Sequence, residues 1–253
     1  MTSALKKVLF TLIFGAFSIL VVAQQKSTTP KKTVSKPVVS KTKTAKPVAS
    51  KPIVPPGLEG KTKVKITTDL GVMVVRLYDS TPKHRDNFVK LVQEGFYDSL
   101  LFHRIIQGFM IQGGDPLSKN APQGSMLGSG GGDMERIPAE FNRNIIHKKG
   151  ALAAARDGNP EKASSACQFY IVQGSPVTTD QLKMMGQQRG FDYTDAQIQE
   201  YESLGGTPFL DMEYTVFGEL ISGFNVLDKI AAVKKNNFDR PNIDVHMKMK
   251  LIK

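Results

Sequence analysis

Phe102-His103-Arg104-Ile105-Ile106-Gln107-Gly108-Phe109-Met110-Ile111-Gln112-Gly113-Gly114-Asp115 places a basic residue, an amide and two large apolar side chains within nine positions. Its two apolar runs, Leu101 to Ile106 and Phe109 to Gln112, flank a glycine and read as short strands joined by a turn. Similar runs recur at Gly150 to Ala155, Gln168 to Val172 and Thr215 to Leu220. Upstream, Lys63 to Thr68 and Val72 to Tyr78 alternate apolar with polar residues around Asp69-Leu70-Gly71, which predicts a hairpin. Thr81-Pro82 then supplies an N-cap followed by proline at the first helical position. Phe88, Val89, Leu91 and Val92 follow at helical spacing, and Gly95 closes the element. Asn225 to Val233 reads as a second helix and Val245 to Ile252 as a last strand. Many short strands at irregular intervals with glycine turns predict a mainly β closed barrel or sandwich, not an alternating parallel fold.

Gly174 to Thr207 breaks this pattern. Thr178 with Gln181, and Thr194 with Gln197, each match a capping box, and Gly205-Gly206 ends the second run, so a helical hairpin is inserted between strands. A partner-binding arm, a lid and a neutral surface insertion all remain open for it.

The net charge of +11 is concentrated at one end of the chain. Residues 1 to 58 hold ten lysines, no arginine and no acid, which leaves 24 basic against 23 acidic residues over 59 to 253. Lys6 and Lys7 precede an uncharged apolar run from Val8 to Val22, and Val21-Val22-Ala23 offers small residues for cleavage. Residues 1–23 are therefore expected to be a secretory signal, and the protein periplasmic or secreted. An uncleaved anchor is the alternative, but 15 residues of helix reach about 22 Å against a hydrocarbon core of about 30 Å. Residues 24–58 repeat Lys, Thr, Ser, Pro and Val, as in Ser35-Lys36-Pro37-Val38 and Ala45-Lys46-Pro47-Val48. Missing backbone donors and lysine repulsion make this an expected solvated linker to a domain at 59–253. It is a spacer or a weak contact to an anionic surface; with no aromatic to stack a base, it does not predict specific nucleic-acid binding.

One cysteine, Cys167, precludes an intrachain disulfide and the cysteine clusters of zinc and iron-sulfur sites. The four histidines fall at no metal-ligand spacing, and no serine lies in a nucleophile elbow. Gly128, Gly130, Gly131 and Gly132 lack the Lys-Ser/Thr ending of a phosphate loop and read as a tight turn.

The stretch from Phe102 to Asp115 resembles the signature of the cyclophilin family of peptidyl-prolyl cis-trans isomerases. The likeness continues through Ile137-Pro138-Ala139-Glu140-Phe141, Cys167-Gln168-Phe169-Tyr170-Ile171, Phe209-Leu210-Asp211 and Val216-Phe217-Gly218, covering nearly all of 61 to 253 apart from the insertion. The resemblance implies a closed eight-stranded antiparallel barrel capped by two helices, with a proline pocket on its outer face. It implies catalytic roles for Arg104, at the prolyl nitrogen, and for Gln112, at the substrate backbone. It places Phe109, Met110, Tyr170 and Leu210 on the pocket walls, Gln168 beside them, and Ala155 and Arg156 along the substrate backbone. Phe209 stands where many members have tryptophan, which puts cyclosporin sensitivity in doubt, and Tyr214 stands where many have histidine. His103 receives no catalytic role.

Such a set suffices for the chemistry. Amide resonance sets a barrier of about 18 to 20 kcal/mol, and no bond needs to break. In the twisted transition state the nitrogen lone pair becomes an acceptor that neither ground state offers, and a guanidinium placed there stabilises that geometry alone. No cofactor or metal is implied, and the expected partners are proline-containing polypeptides met by a monomer. The implied function is acceleration of folding in exported chains; the alternative is a proline-segment binding module or holding chaperone with incidental turnover.

Overall fold

The computed structural model describes residues 60–253. The expected signal (1–23) and the whole of the expected linker (24–58) lie outside the described residues.

Strands β1 (Lys63–Thr68) and β2 (Gly71–Leu77) pair antiparallel as Thr68↔Gly71 through Lys63↔Arg76, forming the expected hairpin. Helix α1 (Pro82–Gln93) follows, then β3 (Phe102–Ile106), β4 (Met110–Gly113), β5 (Ala151–Ala154) and β6 (Phe169–Val172). The insertion forms α2 (Thr179–Arg189) and α3 (Asp195–Leu204), both opened by the anticipated capping boxes. A 3-10 turn (Pro208–Leu210) leads to β7 (Val216–Ser222), α4 (Phe224–Ala231) and β8 (Met247–Ile252). All eight strands join one antiparallel sheet in the order β3-β4-β6-β5-β7-β2-β1-β8.

The expectation of a closed barrel is corrected. The sheet curls into a half-barrel whose end strands, β3 and β8, share no ladder and meet only at the bridge Leu101↔His246 just before both of them. A bulge between Phe102 and Arg104 re-aims β3, and Ile105 N–H then donates to the Asp239 carbonyl of the loop before β8 instead of to a strand. The two expected end helices are present, α1 against β7 and β8 and α4 against β2, β3 and β4; the insertion brings the helices to four.

Alternation decides which side chains face the core. Ile111 on β4 and Phe169 and Ile171 on β6 turn inward to a core shared with Ile66, Val75 and Leu227. There Phe88 of α1 packs edge to face on Phe169, with centroids 5.6 Å apart. Met110 and Tyr170 turn the other way, into a second cluster with Ala153 and Leu210 on the outer face. The strand period thus puts Met110 and Tyr170 on the face opposite the main core.

Thr81 occupies the N-cap of α1, but its hydroxyl makes no capping bond. The carboxylate of Glu140 takes that part, accepting from Lys83 N–H at 3.1 Å and His84 N–H at 3.0 Å. The Ile137-Phe141 motif is therefore a structural brace.

Candidate active site

Strand register assembles the outer-face row. Arg104 pairs with Gln112 across β3 and β4, Gln112 with Tyr170 across β4 and β6, and Tyr170 with Ala153 across β6 and β5. The turn bringing β3 back to β4 runs through Gly108 at φ +77°, a conformation glycine adopts without strain. Beside this row lies a cavity of about 100 Å³ lined by Arg104, Phe109, Met110, Gln112, Ala155, Arg156, Tyr170, Leu210 and Tyr214.

Nine of the eleven residues expected at the site line this one cavity. Phe209 stands at its rim, 45% exposed, its ring 5.6 Å from that of Phe109. Gln168 lines an adjoining cavity of about 220 Å³ that shares Gln112, Ala155 and Arg156 and is otherwise walled by Gly128 to Gly132, Met134, Arg136, Asp157 and Ser165. The glycine run forms the expected turn and also walls this cavity, and Arg136, to which the sequence pattern assigns no site role, lines it as well. Their role as walls depends on a chain crossing that no local pattern signals.

An amide relay orients the polar side. Gln168 Nε2 donates to the Gly128 and Gly130 carbonyls at 3.0 and 2.9 Å, leaving its Oε1 to accept from Gln112 Nε2 at 3.1 Å. Gln112 Oε1 therefore faces Arg104, whose Nη1 donates to it at 3.3 Å. Among the described residues this is the sole side-chain hydrogen bond of Arg104, and its guanidinium pairs with no carboxylate there. Arg156 is held differently. Nε donates to the Glu213 carbonyl at 3.0 Å, Nη1 to the Asp157 carbonyl at 3.1 Å and Nη2 to Glu213 Oε2 at 3.4 Å, while the guanidinium lies 4.6 Å above the Tyr214 ring.

On the apolar side the Tyr170 ring meets Tyr214 edge to face with centroids 5.9 Å apart. Burial pushes the Tyr170 hydroxyl well above the ordinary tyrosine range, so it stays protonated. The arrangement offers an apolar seat for a small ring beside one cation with spare donors and an orienting amide. No side chain in it is arranged as an activated nucleophile.

The family profile described as Cyclophilin type peptidyl-prolyl cis-trans isomerase/CLD matches residues 63–250. This chain belongs to the cyclophilin family. A Staphylococcus aureus (strain USA300) protein bearing the peptidyl-prolyl cis-trans isomerase name is 36% identical over 188 residues, which span 74% of this chain and 89% of the relative. A Streptococcus pyogenes serotype M6 protein named as a bifunctional phosphatase and peptidyl-prolyl cis-trans isomerase is 39% identical over 186 residues, 72% of this chain but 37% of its own length. The chain thus spans little more than a third of that bifunctional relative. Among solved structures, a Cryptosporidium parvum cyclophilin type peptidyl-prolyl cis-trans isomerase superposes with a TM-score of 0.55 at 24% identity, covering 76% of this chain and 98% of its own. The same protein, crystallised in the presence of the dipeptide Ala-Pro, gives 0.54. The cyclophilin fold and the isomerase class of this chain follow.

Proposed function

We propose that this cyclophilin isomerises Xaa-Pro bonds with Arg104 as the group that stabilises the twisted amide. Supporting this reading above all is a guanidinium free of carboxylates at the edge of an apolar cavity sized for a small ring. Met110, Phe109, Tyr170 and Leu210 seat the prolyl ring, and Gln112 holds the backbone on the other side of the rotating bond. As the nitrogen becomes pyramidal, an Arg104 N–H donates to its lone pair; arginine remains charged throughout and presents several donors in one plane. Ala155 and Arg156 border the substrate backbone, Gln168 orients Gln112, and Phe209 and Tyr214 form the rim.

Substrates are proline-containing chains that reach the same compartment as the enzyme. The Lys6-Lys7 pair, the apolar run to Val22 and Ala23 support export with cleavage near Ala23; amino-terminal sequencing of the mature protein tests this, and an intact Met1 refutes it.

The activity test uses a short Ala-Pro peptide. Arg104→Ala is expected to lower kcat/KM on the order of a hundredfold while peptide binding persists. Arg104→Lys recovers part of the rate, since one donor returns without the fork. Equal rates in wild type and Arg104→Ala sink the assignment and leave a proline-binding module.

A further inference from the structure

Several polar contacts of the two-helix insertion reach Phe209 and Asp211, which flank Leu210 on the wall of the Arg104 cavity. Tyr193, between α2 and α3, donates its hydroxyl to Asp211 Oδ2 at 2.9 Å, and Tyr201 of α3 donates to the same oxygen at 2.6 Å. Asp211 Oδ1 accepts from the backbone N–H and the Nδ1 of His147, both at 2.8 Å. With Nδ1 donating to a carboxylate, Nε2 is left to accept, and the Tyr170 hydroxyl donates to it at 3.0 Å. The imidazole and the Tyr170 ring lie 15° from parallel.

Other ties run the same way. Arg189, ending α2, donates to the Asp211 carbonyl at 2.9 Å and to the Phe209 carbonyl. At the stem, Gln173 and Gly174 N–H both donate to the Phe109 carbonyl at 3.0 Å. Gly206 allows the close approach on which this wiring depends, for a Cβ there would sit 2.4 Å from the His147 carbonyl and 2.5 Å from the Tyr201 ring.

Asp211, His147, Tyr170 and Tyr201 are all buried. A buried carboxylate and its donors rarely outdo apolar packing for stability, so fixing a geometry is the better reason for this one. We infer that Asp211 and His147 are positioning residues for the isomerase site: the insertion fixes Asp211, and Asp211 through His147 fixes the Tyr170 ring on which the prolyl ring rests. The insertion is then neither a neutral surface insertion nor a lid but a rear buttress of the pocket. This rests on the reading of the Arg104 cavity as the proline site.

The test is a double-mutant cycle in the full chain between Tyr201→Phe and Tyr170→Phe, reading kcat/KM on the Ala-Pro peptide and the urea midpoint. Each single change removes one hydroxyl and little volume. Each is expected to lower kcat/KM about fivefold, and the double variant to lose no more than either single one, because Tyr201 acts through the hydroxyl that Tyr170→Phe has already removed. Unchanged kcat/KM in Tyr201→Phe, or losses that multiply in the double variant, overturn the inference. A wild type without isomerase activity sinks the proline-site reading instead, and this inference with it.

Discussion

Two guanidinium groups line one cavity, and the way each is held assigns it different work. Arg156 is tied at all three nitrogens by Glu213 and Asp157 and lies over the face of Tyr214, so it has little freedom to move, whereas Arg104 is steered by Gln112 alone. Arg156→Ala should therefore loosen Tyr214 and raise KM several-fold with kcat nearly unchanged, the opposite of the kcat loss expected for Arg104→Ala; steady-state kinetics on one peptide series separates them. Next to Arg104, His103 is buried, which holds its pKa down to about 4, with the Asp115 charge opposing and the Arg104 charge adding. The unfolded chain takes up that proton near pH 6.5 and the folded chain only near 4, so stability falls as pH drops through this window and is indifferent to His103 above it. The loss is on the order of 3 kcal/mol, and His103→Leu should flatten urea midpoints measured between pH 7 and 4; an unchanged slope refutes the assignment. Arg104, Gln112 and Met110 are legible in the sequence because one hairpin carries them. His147 and Asp211 are not, because they lie 64 residues apart and meet through a loop crossing that leaves no periodic trace.

Each helix that came from a pattern exists, yet one is secured by a group that local reading cannot supply. Both capping boxes of the insertion close as expected because cap and partner sit three residues apart. At α1 the expected Thr81 cap is replaced by Glu140, 57 residues from Lys83. The same carboxylate accepts from His84 Nδ1 at 2.7 Å, and His84 Nε2 meets Ser164 Oγ at 2.9 Å, so helix, motif loop and the segment before β6 share one buried joint. Glu140→Ala leaves two backbone donors and an imidazole without their acceptor, at a cost of about 2 kcal/mol. Thermal unfolding of that variant should come about 5 °C lower, while Thr81→Ala moves it little; equal shifts would restore the local cap. Closure of the sheet follows the same logic. Eight strands can be counted from alternation and short apolar runs, but whether β3 and β8, the two ends of the sheet, pair depends on a bulge between Phe102 and Arg104 and on a loop carbonyl at Asp239, which alternation does not encode.

Across the molecule, charge and chemistry are segregated. Residues 24 to 58 carry eight lysines and no acid, whereas 59 to 253 balance 24 basic against 23 acidic residues. Attraction to an anionic surface falls off within about 10 Å at 0.1 M salt, so a near-neutral domain contributes little long-range pull and residues 24 to 58 carry nearly all of it. Each lysine near an anionic membrane contributes about 1 kcal/mol at low salt. The protein should therefore bind vesicles containing anionic lipid at low ionic strength and release them as salt rises, whereas vesicles of neutral lipid should bind it weakly throughout. Deleting residues 24 to 58 should abolish the salt-sensitive binding and leave kcat/KM on a short Ala-Pro peptide unchanged, because the described cavity draws every wall from residues 104 to 214. Cosedimentation across a salt series, paired with the peptide assay, checks both halves. Vesicle binding that survives the deletion would move the attachment onto the domain, and a fall in peptide turnover would show that the basic segment takes part in catalysis, which a site assembled from β3, β4, β6 and the Leu210 turn does not require.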